Sequence, residues 1–201
     1  MAQLTFIYST MKSGKSLDLL KTDHAYRERG YQTLRFTSEV DKRYQSATKT
    51  KDSRIGKIST RIGLESEAWL IERVNIEELV DIHQPHCILV DEAQFLTEEI
   101  ILSLVSIVDI NNIPVICYGL KNDFRGTLFP GSQALLIYAD TLKEIETVCE
   151  YCTNKASMNL RFSGDRPVFT GSQILLGDSA YKPVCRKCYL SMKHVYLDIS
   201  K

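Results

Sequence analysis

The sequence predicts an α/β fold, a parallel sheet flanked by helices, followed by a small cysteine-rich domain. Three observations predict it. Short apolar runs alternate with segments of helical periodicity over residues 1–140, the pattern of βαβ units. A Gly-containing turn joins the first run directly to the first helix. From about residue 141 the helical signals fade, and four of the six cysteines fall in this last part. We therefore expect two domains, residues 1–140 and 141–201.

The predicted strands are short and apolar, as expected for strands buried on both faces of a sheet. They are Leu4–Tyr8, Thr33–Thr37, Glu67–Ile71, Cys87–Val90 and Val115–Tyr118. The predicted helices have apolar residues three and four positions apart, with Gly30 as a stop signal and Thr97 as an N-cap. They are Ser16–Glu28, Asn75–His83 and a helix from Thr97 to about Val108. The polar residues 41–62 are predicted to be a mobile loop, and residues 119–133, with several Gly and a Pro, a second loop.

Composition restricts the class of protein. Apolar residues make up 44% of the chain and charged residues 25%, with a formal net charge of zero. This balance is typical of globular proteins and lacks the basic excess of many nucleic-acid-binding proteins, so we expect no nucleic-acid partner. No secretory signal or membrane-spanning run is evident, so we expect a cytoplasmic protein with no membrane partner and with reduced thiols.

A phosphate-binding loop is predicted between the first strand and the first helix. It follows the Walker A pattern except that Ser9 stands where the first Gly is expected. Its backbone N–H groups would surround the phosphates of ATP, Lys15 would add a charge at the β- and γ-phosphates, and the Ser16 hydroxyl would bind Mg²⁺. The alternative is a helix N-terminus with a chance Gly-Lys-Ser. The predicted nucleotide contacts are Ser9, Thr10, Met11, Lys12, Ser13, Gly14, Lys15 and Ser16.

A pair of acids follows the strand Cys87–Val90. In P-loop proteins an Asp at the end of such a strand holds Mg²⁺, which predicts this role for Asp91. Glu92 could act as a general base toward a hydroxyl group or water. The alternative is that both acids merely mark the end of a strand. These residues do not distinguish a kinase from an ATPase, because both need an oriented nucleophile.

Two C-x₂-C pairs near the C-terminus have the spacing of a four-cysteine zinc site. They are Cys149 with Cys152 and Cys185 with Cys188. Four thiolates leave no open coordination position, so the Zn²⁺ is predicted to be structural. The long segment between the pairs, about residues 161–184, is either a loop that closes over a ligand or an exposed projection. The other two cysteines lie in apolar strands and are interpreted as core residues.

Four motifs together resemble the type II thymidine kinases, the bacterial and cellular class, over nearly the whole chain. They are Tyr8-Ser-x-Met11-x-x-Gly-Lys-Ser16, Val90-Asp-Glu-Ala-Gln-Phe95, Tyr118-Gly-Leu-x-x-Asp-Phe-Arg-Gly126 with Phe129, and Val184-Cys-Arg-x-Cys188. The resemblance implies a P-loop NTPase-like sheet with a zinc-ribbon-like domain that carries a substrate-covering lasso loop. It also implies ATP-dependent phosphorylation of deoxythymidine at its 5′-hydroxyl, a homotetramer, and inhibition by dTTP.

The resemblance also implies roles for individual residues. Glu92 matches the family's general base, and further cofactor contacts are implied at Asp91, Glu92, Ala93 and Gln94. Asp41 and Arg43 match a polar loop that reaches the phosphates or metal. The thymine pocket is implied at Met11, Leu120, Phe124 and Phe129, and the lasso contacts at Leu175, Leu176, Gly177 and Tyr181. The rival interpretation is a nucleotide-switched binding module with a zinc ribbon.

Overall fold

The structure is a computed structural model and describes residues 1–40, 52–173 and 180–199. A seven-stranded sheet with order β3-β4-β2-β5-β6-β1-β7 forms its centre. All of its pairings are parallel except that of β3 with β4. Its strands are β1 Leu4–Ser9, β2 Thr33–Thr37, β3 Ile55–Ser59, β4 Glu65–Leu70, β5 Cys87–Val90, β6 Val115–Leu120 and β7 Thr141–Glu144.

Four helices cover this sheet, and two have the caps that the sequence favours. The Asn75 side chain accepts a hydrogen bond from Glu78 N, and that of Thr97 accepts one from Ile100 N, which confirms the Thr97 cap. The helices are α1 Lys15–Arg27, α2 Ile76–His83, α3 Glu98–Asn111 and α4 Pro130–Tyr138. Within the described parts of the chain, no helix combines the length and apolar character needed to cross a bilayer.

The core has two layers because alternate residues of each strand face opposite sides of the sheet. In β5, Ile88 and Val90 belong to the cluster packed under α2, α3 and α4, while Cys87 and Leu89 belong to the cluster under α1. All four residues of β5 are buried. This two-sided burial fixes the end of β5, and therefore the acids that follow it, against its neighbours β2 and β6.

A second, smaller sheet follows the first. Its antiparallel order is β10-β8-β9, and helix α5 packs against it around a small cluster that includes Leu160, Val184 and Tyr189. The elements are β8 Met158–Ser163, β9 Arg166–Val168, β10 Ala180–Val184 and α5 Arg186–Ile199. The division near residue 140 stays a prediction, and the pairing of β7 with β1 favours a boundary after Glu144.

Several sequence expectations were wrong. The predicted loop 41–62 contains β3, which pairs with β4 and buries Ile58 in the core; residues 41–51, with Asp41 and Arg43, lie outside the described residues. The predicted loop 119–133 contains the start of α4, where Pro130 occupies the first turn that Pro tolerates. The segment 161–184 is in part strand, and α5 arises where helical signals were thought to fade.

Candidate active site and metal centre

The predicted phosphate loop lies between the end of β1 and the start of α1. Gly14 caps α1 with a φ of 87°, a left-handed conformation that favours glycine, and Lys12 also has a positive φ of 63°. The first N–H groups of α1 have no partner within the helix, and they carry the positive end of its dipole. The turn therefore has the backbone geometry of an anion-binding site.

Lys15 is directed into this loop. Its ammonium group donates to Ser9 Oγ and to Thr10 O, both at 3.1 Å, and the residue is only 8% exposed. Ser9 Oγ also lies in hydrogen-bond contact with Ser13 Oγ. The serine that replaces the expected glycine thus holds the lysine of the motif. Thr10 Oγ1 is buried and has no hydrogen-bond partner within the described part of the chain, as expected where a polar ligand belongs.

Asp91 meets the phosphate loop directly. Ser16 Oγ donates to Asp91 Oδ2 at 2.8 Å, which joins the start of α1 to the end of β5. Burial and, second, the charge of Glu92 raise the pKa of Asp91, while the Ser16 hydrogen bond and the Lys15 charge oppose the rise, and the net result is a pKa of about 7. A hydroxyl and a carboxylate side by side are hard oxygen ligands that suit Mg²⁺, and a cation would favour the ionised carboxylate.

Glu92 is held in an unusual backbone conformation. Its φ of 53° is left-handed, and it precedes a short 3₁₀ turn, Ala93–Phe95. Gln94 Nε2 donates to Glu92 Oε2 at 2.5 Å, and Gln94 Oε1 accepts from Leu120 N at 3.0 Å. Gln94 therefore fixes the Glu92 carboxylate to the end of β6. A Cβ at Gly119 would lie 2.9 Å from Gln94 Oε1, so this clamp depends on that glycine.

Ala93 and Gln94, the first two residues of this turn, are fully buried. Their contact with a cofactor stays a prediction. Helix α4 supports the same turn from the other side, since a Cβ at Gly131 would lie 2.2 Å from Ala93 O. The acid pair thus lies between the end of β5 and a turn that contacts both β6 and α4.

Three residues of the predicted pocket lie at the end of β6 or in the segment that follows it. Leu120, Phe124 and Phe129 are all buried. The Arg161 guanidinium stacks on the Phe124 ring, 3.6 Å from its centroid, and also donates to Thr170 O and Ser172 O. The small domain therefore directly contacts Phe124, which together with Phe129 forms what we call the aromatic wall.

Of the remaining five predicted substrate residues, the structure describes two. Met11 is half-buried in the phosphate loop. Tyr181 is half-buried in β10 and is paired in register with Arg161 of β8. Leu175, Leu176 and Gly177 lie outside the described residues.

The four cysteines of the two C-x₂-C pairs converge. Their sulfur atoms all lie within 4.8 Å of one another, with Cys152 Sγ 3.6 Å from Cys185 Sγ and 3.8 Å from Cys188 Sγ. Metal–sulfur bonds of about 2.3 Å in a tetrahedron place the sulfurs about 3.8 Å apart, so the set fits a tetrahedral cation. The backbone N–H of Cys188 donates to Cys185 Sγ and lowers the pKa of that thiol, which favours the thiolate that a metal binds.

Two contacts join the cysteine-bearing domain to the phosphate loop. Glu150, which lies between the first two cysteines, forms an ion pair with Lys12 at 3.3 Å. Asn159 Oδ1 accepts a hydrogen bond from Met11 N at 2.8 Å. Sequence reasoning missed Asn159, because it lies 148 residues from its partner and no local pattern marks it.

Known proteins are similar to this chain over nearly its whole length. A family profile described as thymidine kinase matches residues 2–189. A thymidine kinase of Listeria monocytogenes serotype 4b (strain F2365) is 48% identical over 194 residues, which cover 94% of this chain and 97% of that protein. A thymidine kinase of Enterococcus faecalis (strain ATCC 700802 / V583) is 44% identical over 199 residues, which cover 97% and 98%.

Proposed function

Because the chain belongs to the thymidine kinase family, we propose that it transfers the γ-phosphoryl group of ATP to the 5′-hydroxyl of deoxythymidine. The observation that supports this most is the 2.8 Å hydrogen bond from Ser16 to Asp91. It brings the phosphate loop and the acid pair to one edge of the sheet, as phosphoryl transfer requires. The parallel order β5-β6-β1 places both motifs at this edge, and the hydrogen bond brings their side chains into contact.

The phosphate loop binds and orients ATP in this proposal. Its backbone N–H groups hold the phosphate oxygens, and Lys15 exchanges its bonds to Ser9 and Thr10 for bonds to the nucleotide. Ser16 and Asp91 would hold Mg²⁺, which when bound neutralises charge on the β- and γ-phosphates.

Glu92 accepts the proton of the 5′-hydroxyl. Gln94 donates to Oε2 of this carboxylate and so keeps the general base in a fixed orientation for the proton transfer. The oriented hydroxyl then attacks the γ-phosphorus, and ADP leaves. The flat base is held against Met11, Leu120 and the aromatic wall, an apolar slot that suits a pyrimidine with a methyl group.

The four cysteines hold a structural Zn²⁺ in this proposal. Their geometry leaves no position open for substrate, so the metal folds the small domain and does not react. Thiolates in this role suit a reducing compartment, which favours the cytoplasm. The homotetramer and the inhibition by dTTP are carried over from the family resemblance alone, and light scattering and assays with added dTTP test them.

A product assay with ATP, Mg²⁺ and each nucleoside in turn tests the proposed function. We expect formation of dTMP with deoxythymidine, weaker turnover with deoxyuridine, and ATP consumption that depends on the nucleoside. ATP hydrolysis of equal rate without any nucleoside would contradict the proposal and support the nucleotide-switched module instead.

A further inference from the structure

Asn159 bridges two walls of the site with one side chain. Its Oδ1 accepts from Met11 N at 2.8 Å, and its Nδ2 donates to Asn122 O at 2.9 Å. The residue is 1% exposed. Because one partner is a donor and the other an acceptor, the amide has a single orientation that satisfies both. The bridge therefore requires an amide of this length at this position.

The strand that carries Asn159 is connected to the cysteine cluster. Asn159 is paired in register with Pro183 of β10, and that strand leads directly into Cys185. Pro183 O accepts a hydrogen bond from Glu150 N, within the first cysteine pair. Both cysteine pairs thus hold the strand partner of Asn159.

The two ends of the bridge support the nucleotide and nucleoside sides of the site. Met11 precedes Lys12, whose left-handed backbone is uncommon for a side chain of this kind, so the loop needs support from outside itself. Asn122 opens the segment that carries Phe124 and Phe129. A change in the bridge alters the distance between the loop and this aromatic wall.

We propose that Asn159 is a positioning residue that sets the phosphate loop against the aromatic wall, through which the cysteine-bearing domain supports binding of ATP and nucleoside. This inference rests on the proposed function. It assigns the role to the buried amide and not to the neighbouring Lys12–Glu150 pair, whose side chains are each 35% exposed, because ion pairs at such exposure contribute little.

Asn159→Leu tests the proposal, since leucine has the same branching and number of side-chain heavy atoms but can make neither hydrogen bond. We expect the affinity for a non-hydrolysable ATP analogue with Mg²⁺ to fall about ten-fold, because Met11 N is left unpaired. The KM values for ATP and deoxythymidine should both rise, with the zinc content unchanged. A lower kcat with unchanged KM values and analogue affinity would overturn the proposal, since that is the result of a smaller folded fraction. Loss of zinc would overturn it also, because the effect would then belong to domain folding.

Glu150→Gln is the matched control, because it removes the charge of a second described contact between the same domain and the same loop. Its analogue affinity should stay within about two-fold of the unaltered protein, and an equal loss would overturn the assignment to Asn159. Should Asn159→Leu fail to fold, Asn159→Ser, whose hydroxyl is too short for the bridge, is measured and interpreted in the same way. Analogue binding needs no acceptor, so a protein that binds the analogue but phosphorylates no nucleoside would refute the proposed function and leave this comparison valid.

Discussion

Glu92 carries the chemistry of the proposed reaction, and its substitution gives the first prediction. Glu92→Gln keeps the shape of the side chain but cannot accept a proton. We expect kcat to fall roughly 10²–10⁴-fold with little change in the KM for deoxythymidine. Steady-state kinetics measure this. Glu98→Gln, the same change at an exposed carboxylate at the start of α3, is the control and should leave kcat unchanged. Full activity in Glu92→Gln would rule out its role as the base.

Ser9 gives a second prediction at the same scale. Its hydroxyl accepts a hydrogen bond from Lys15, and this bond must break before the ammonium reaches a phosphate. Ser9→Ala removes a partner that competes with ATP, and a hydrogen bond to a charged group is worth about 1.5–3 kcal/mol. We expect ATP to bind about ten-fold more tightly, which corresponds to the lower end of this range, as measured by calorimetry. Weaker binding would show instead that the hydroxyl contacts the nucleotide.

At the scale of elements, α4 supports the turn that follows Glu92. Gly131 lies so close to the turn Ala93–Phe95 that a Cβ would be 2.2 Å from Ala93 O. Gly131→Ala must therefore push the turn or the helix away, and overpacking of this kind costs about 1–3 kcal/mol. We expect a lower melting temperature together with a lower kcat, because Glu92 shifts with the turn. Gly164→Ala, at a site with no atom near the added methyl group, is the control for kcat, although its positive φ of 58° also lowers stability.

The same elements show what local sequence predicts and what it does not. Strand β5 and the Thr97 cap follow from an apolar run and a local side-chain contact, so the sequence predicted both. Strand β3 is short, with only two isoleucines, and pairs with β4, while α4 closely approaches a distant turn. No local pattern contains either fact.

The candidate site likewise contains residues that the sequence predicted and contacts that it did not. The loop around Lys15, the acid pair and the four cysteines were predicted because each motif is contiguous or regularly spaced. The clamp of Gln94 between Glu92 and Leu120, and the bridge of Asn159, join residues that only the fold brings together. Residue types were therefore predictable where chemistry fixes the spacing, and supporting contacts were not.

At the scale of the whole molecule, the cysteine cluster connects the small domain to the site. This domain has few buried apolar residues of its own, so we expect its folding to depend on the proposed Zn²⁺, since such a site contributes on the order of 10 kcal/mol. Cys152→Ser removes one ligand, and we expect loss of bound zinc and faster amide hydrogen exchange in β8, β10 and α5. The seven-stranded sheet should keep its protection, because its core clusters are separate.

The consequence for function follows from the contacts that leave this domain. Once β8 loosens, Asn159 no longer fixes Met11, and the Arg161 guanidinium leaves the Phe124 ring. We expect Cys152→Ser to weaken the binding of ATP and deoxythymidine together, although neither ligand touches the metal. Cys117→Ala is the control, since this buried cysteine lies in β6 outside the cluster and its loss should lower stability while zinc and both affinities are retained. Zinc content at the level of the unaltered protein in Cys152→Ser would show that the four thiols do not form the metal site, and unchanged affinities after zinc loss would show that the two domains act independently.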